Sequence, residues 1–74
     1  MTDYIKGLRQ DAQAFLCATS REEIGKLYAQ LVGHDCAADD PDADIEDLRQ
    51  LGVDYVKECC YSRGIHCRQV GLTP

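Results

Sequence analysis

Basic residues are scarce in this chain. Eight Lys and Arg stand against thirteen Asp and Glu, a formal net charge of −5 at pH 7. Binding to DNA or RNA phosphates rests on Lys and Arg that displace counterions, so direct nucleic-acid binding is not expected. Long apolar runs are missing as well. The longest reaches from Ala14 to Ala18, far short of the roughly 20 residues that span a bilayer, so no membrane association is expected. The opening stretch MTDYIKGLRQ is polar and has no apolar core of the secretory kind. There is no C-x-x-C, no Gly-rich phosphate loop and no G-x-S-x-G. The signatures of paired zinc ligands, phosphoryl transfer and nucleophile-elbow hydrolysis are therefore absent, and neither an enzyme nor a bound cofactor is expected. An odd count of five cysteines argues against a closed disulfide framework and for reduced thiols in a cytoplasmic setting.

What is present is helical periodicity. The 74 residues read as a single domain covering residues 1–74. A chain of this size buries only about 60–65% of its unfolded surface, so its core is small. The expected fold is all-α, a small three-helix bundle with helices near 3–17, 20–33 and 41–63 and an irregular C-terminal tail. Thr2 or Asp3 can cap the first helix, where Ile5, Leu8, Ala12, Phe15 and Leu16 recur at helical spacing. Ser20 and Glu23 form a capping-box pattern ahead of Ile24, Leu27, Tyr28 and Leu31, with Gly33 as a natural end. Ile65, Val70 and Leu72 are candidates to pack back on the bundle.

The third run, Pro41 to Arg63, is the long central element. At about 100° per residue, Ile45, Leu48, Leu51, Gly52, Tyr55, Val56 and Cys59 share one stripe. Val53 and Cys60 widen the apolar arc to roughly 200°, more than one neighbour can cover. Val53, Val56 and Cys60 therefore read as an exposed flank for self-association, consistent with a homodimer. Gly52, inside the stripe, points to close approach by another helix. Asp40 reads as the N-cap with Pro41 as the first helical residue. Gly64 and Ile65 supply the left-handed stop and its apolar fold-back.

Three constellations invite a functional reading. Asp35, Asp39, Asp40, Asp42, Asp44, Glu46 and Asp47 lie in one stretch without Lys or Arg. Asp40, Asp42 and Asp44 have the alternation that opens a calcium loop. Ile45 then stands where that loop needs Gly, and Leu51 where it needs Glu, so the pattern fails. Favoured instead are a dipole-matched helix start and an acidic patch formed by Asp35, Asp39, Asp40, Asp42, Asp44 and Asp47 that meets a basic protein surface. A second set is His34, Cys36, Cys59, Cys60, His66 and Cys67. His34-x-Cys36 is too tight for usual zinc spacing, and adjacent Cys59 and Cys60 diverge on a helix, so no metal site is expected. Cys17 and Cys59 read as buried hydrophobes, Cys60 and Cys67 as accessible thiols. Lastly, Lys57, Arg63, His66 and Arg68 gather at the far end of the central helix and suit its dipole.

No motif assigns the chain to a family. In size, acidity and lack of catalytic groups it resembles the small helical proteins with which phages and mobile elements block host proteins, anti-CRISPR and other anti-defence inhibitors among them. That resemblance of type implies a protein-binding inhibitor whose carboxylates stand in for phosphates on a basic, nucleic-acid-binding surface. The alternatives are a structural or regulatory homo-oligomer and a zinc- or thiol-dependent module.

Overall fold

The protein is described here by a computed structural model covering residues 2–72. Its elements are α1 (Thr2–Cys17), α2 (Arg21–Val32), α3 (Cys36–Asp39), α4 (Ile45–Ser62) and a 3-10 turn at Cys67–Val70. No strand occurs among the described residues, so the fold is all-α as the periodicity predicts. The first two principal helices, and the end of the third, lie where expected. Two short elements, α3 and the 3-10 turn, come in addition.

The caps explain the boundaries. Ser20 accepts from the Glu23 backbone N–H at 3.2 Å. The Glu23 carboxylate reaches back to Thr19, one residue before the position a capping box would give. Gly33 ends α2 with φ 98°, a left-handed conformation that favours glycine. After α4 the chain reverses at Gly64, and the Ile65 N–H donates to the Cys60 carbonyl at 2.8 Å. Ile65 is buried against the core, as the stop signal predicts.

The start of α4 differs from expectation. It begins at Ile45, capped by Asp44, whose carboxylate accepts from the Asp47 N–H at 2.9 Å. Asp40 is not the N-cap of α4 but the residue that ends α3, and Pro41 lies in the turn between the two helices. Pro41 disfavours α geometry in the residue before it, which stops α3 at Asp40, and α4 starts only after a turn whose Asp40 and Ala43 carbonyls are held by Arg21. Asp40 takes φ −131° and ψ 80°.

One cluster of buried side chains joins all elements. Phe15, Ile24, Leu48, Val56, Val70 and Cys60 are its largest fully buried members. The buried arc of α4 is rotated away from the expected stripe. Leu51, expected inside, is 41% exposed. Val53, Val56 and Cys60, expected on an exposed flank for self-association, are all buried. That expectation is corrected by the chain after Gly64. It turns back so that Leu72 lies beside Val53 and Lys57, and Ile65, Cys67, Val70 and Leu72 join the core. The wide arc is filled within the monomer.

At Gly52, α4 packs directly against a side chain of α1. A Cβ there would overlap the ring of Phe15, which has no exposed surface. The close approach predicted from the glycine is real, and its partner is an aromatic side chain.

Three arginines then tie elements together through backbone carbonyls. Arg9 donates to Gln69 O at 3.2 and 2.8 Å, linking α1 to the 3-10 turn. Arg49 on α4 donates to Phe15 O at 3.3 Å and to Ala18 O at 2.6 Å. Arg21, the first residue of α2, donates to Ala43 O at 2.8 Å, Ala37 O at 3.2 Å and Asp40 O at 2.9 Å.

Candidate functional site

The acidic stretch between α2 and α4 is folded, and its carboxylates have divided roles. Asp35 is half-buried and caps α3, accepting from the Ala37 and Ala38 N–H groups at 2.9 and 3.1 Å. Asp44 caps α4. Asp39 meets His34 Nδ1 at 2.7 Å, and both side chains are largely exposed, so this pair adds little to stability. Glu46 pairs with Arg49 on the same helix. Asp40, Asp42 and Asp47 are exposed and make no side-chain hydrogen bond among the described residues. Of the six aspartates expected to contact a partner, two thus hold helix ends, one holds a histidine, and three face solvent.

Arg21 decides the character of this surface. Its guanidinium donates to three backbone carbonyls of the segment. None of the carboxylates accepts from it. The guanidinium fixes the path of residues 37–43 and leaves their acidic side chains outward. Nothing in the local sequence announced this: the contact spans 16 to 22 residues.

The histidines and cysteines do not converge. Among the described residues no group of three or more His, Cys, Asp or Glu side chains is placed to hold a metal ion. All five cysteines are free thiols. Their exposure is partly the reverse of expectation. Cys17 is exposed, lying beside Ala14, Ala18 and Leu27 in a shallow apolar groove of about 390 Å³. Cys60 and Cys67 are buried, because the tail folds over them. His66 caps the 3-10 turn: its Nδ1 accepts from the Arg68 N–H at 3.2 Å, and its own N–H donates to Gln69 Oε1 at 3.1 Å. That capping box, with Gly71 just beyond in the left-handed region, was the signal that the tail is ordered.

At the opposite end, Arg63 lies 4.5 Å from the centre of the Tyr4 ring, an attraction worth about 0.5–1 kcal/mol at an exposed site. A further groove of about 460 Å³ runs between the end of α1, α4 and the tail, lined by Leu16, Arg49, Val53, Lys57 and Leu72. It contains none of the aspartates expected at a docking surface. No helix among the described residues is long and apolar enough to cross a membrane.

Burial pushes the Cys36 thiol up from its ordinary value, and the Asp35 carboxylate beside it adds to the effect. Burial does the same to Cys60, helped by the nearby Cys67 and Cys59. A thiol with a raised folded-state pKa favours folding below the pKa it has when unfolded. That contribution is lost as pH climbs from the unfolded value through the folded one. Stability should therefore decline from about pH 8 to about pH 10, where unfolded thiols ionise. Melting temperatures across that range would show it, and Cys60→Ala should flatten the slope. An identical slope in that variant would remove Cys60 as a cause. On the acid side, burial raises the Asp11 carboxyl, so its ionisation opposes folding and that penalty is relieved as pH falls through its folded pKa.

Comparison of the chain with protein-family models, with curated proteins and with solved structures finds no match.

Proposed function

We propose that this chain is a non-catalytic binding module whose acidic rim docks on the basic surface of a partner protein, of the kind that otherwise holds nucleic acid. The observation that carries the reading is the latching of residues 37–43 by Arg21. It presents Asp40 and Asp42 on a defined backbone, a few residues ahead of Asp47 on the first turn of α4. A surface already ordered before contact loses less entropy on binding. Carboxylates of one sign, grouped and unpaired, give fast association that weakens with salt. An inhibitor made by a phage or mobile element, of the anti-CRISPR or another anti-defence type, is the setting that suits such a module.

Capture of a partner from the native host, followed by one charge variant, tests the reading. Asp40→Asn, Asp42→Asn and Asp47→Asn together take the net charge from −5 to −2 by removing three carboxylates that hold nothing else in the fold. The helix caps at Asp35 and Asp44 are untouched, so circular dichroism should be unchanged. Affinity for the partner should drop by on the order of tenfold or more, chiefly through slower association, with a flatter salt dependence. Wild-type affinity in the folded triple variant, measured at low salt, would end the docking hypothesis.

A further inference from the structure

We propose that residues 35–43 form a strap that opens as one unit, with Arg21 as its latch. The idea stands on the fold alone and does not depend on the docking reading.

The strap has few attachments. It leaves α2 through Gly33, at φ 98°, and joins α4 at the Asp44 cap. Its helix, α3, is four residues long, too short to persist without tertiary support. Ala38, Asp39, Asp40, Pro41 and Asp42 are exposed. What holds the strap is a short set of contacts. The Cys36 side chain is buried in the core with 3% exposure. The Asp35 carboxylate lies against Gly25, in space that a Cβ on α2 would occupy. Arg21 then binds the carbonyls of Ala37, Asp40 and Ala43. Two of those three carbonyls lie beyond α3, where the other backbone bonds within the strap, among the described residues, are Asp40 N–H to Cys36 O at 3.0 Å and Ala43 N–H to Asp40 O at 3.2 Å.

A segment with little buried apolar surface opens at the low end of a protein's range of local stabilities. Here the guanidinium spans the whole segment, whereas Cys36, Asp35 and Ala37 anchor its first residues and Ala43 its last. Without the fork, residues 38–42 are left with the exposed His34–Asp39 pair as their one side-chain tie among the described residues. Opening then exposes Cys36 while Cys60, fully buried under the tail, stays shut. Arg21 thus governs both the reactivity of the Cys36 thiol and the order of the segment that carries Asp39, Asp40 and Asp42.

Pulsed labelling with N-ethylmaleimide, read at each cysteine by peptide mass spectrometry, tests this on the full chain and on Arg21→Met. Methionine keeps an apolar stem and removes every donor. Cys17, being exposed, should react at once in both proteins. Cys36 should react faster in the variant by on the order of tenfold or more, since three charge-assisted bonds are lost. Cys60 should keep its slow rate. Equal acceleration at Cys36 and Cys60 would mean that Arg21 holds the whole fold, and an unchanged Cys36 rate would mean that it latches nothing. Either result overturns the proposal. If Arg21→Met does not fold, Arg21→Lys gives the same readout, because a single ammonium cannot span three carbonyls as a guanidinium does.

Discussion

Gly52→Ala should destabilise the protein by about 2 kcal/mol, in the range of overpacked cores. The sign is the informative part. In an exposed helix interior, replacing Gly by Ala gains up to about 1 kcal/mol, because Ala has less backbone freedom to lose. Here the new methyl group would fall within the ring of Phe15. That ring has no exposed surface, so it has no free space into which to turn. Either α1 must move off α4 or the ring must leave its rotamer. For a domain of this size each kcal/mol shifts the melting temperature by roughly 4–8 °C, so the drop should be plain in a thermal scan. Phe15→Leu in the same chain should recover part of the loss, since the smaller side chain can yield to the methyl. The double-mutant cycle should show favourable coupling of at least about 0.5 kcal/mol between the two sites. A Gly52→Ala protein that melts at or above the wild-type temperature would show that the helices are not pinned by this contact.

That glycine illustrates what the chain discloses about itself. Helix positions follow from local chemistry, so Ser20, Gly33, Gly64 and the recurring apolar residues place α1, α2 and the end of α4. The start of α4 was harder to read because several acids in a row can all cap a helix. Asp40 and Asp44 are equally good candidates by residue type, and the turn at Pro41 decides between them. The flank of Val53, Val56 and Cys60 was misread for a different reason. Whether an apolar flank is covered depends on where a distant segment returns, and the tail returns over this one. The candidate docking residues were legible as a charge run. Their division into caps and free carboxylates was not, because it rests on Arg21 reaching across 16 to 22 residues.

Arg49→Met is the second substitution expected to weaken the fold strongly, by about 2–3 kcal/mol, the range for hydrogen bonds with a charged partner. On the wheel of α4 this arginine lies within the apolar arc, between Val56 and Cys60. A cation there needs a reason, and the far end of α1 supplies it. The last turn of α1 carries no basic residue of its own, and the final carbonyls of a helix are left without partners while bearing the negative end of its dipole. Arg49 meets both needs from the neighbouring helix. Its guanidinium donates to Phe15 O and Ala18 O while its half-buried stem covers the core. Methionine keeps much of that stem and leaves the carbonyls unsatisfied. Lysine should recover only part of the loss, since one ammonium cannot reproduce the fork. The ion pair with Glu46 is a lesser matter: Glu46 is exposed, so Glu46→Gln should change stability by no more than about 0.5 kcal/mol. Urea denaturation of the three variants separates the effects. If Arg49→Met loses no more than Glu46→Gln, the carbonyl contacts carry no weight and Arg49 serves only as one half of a surface pair.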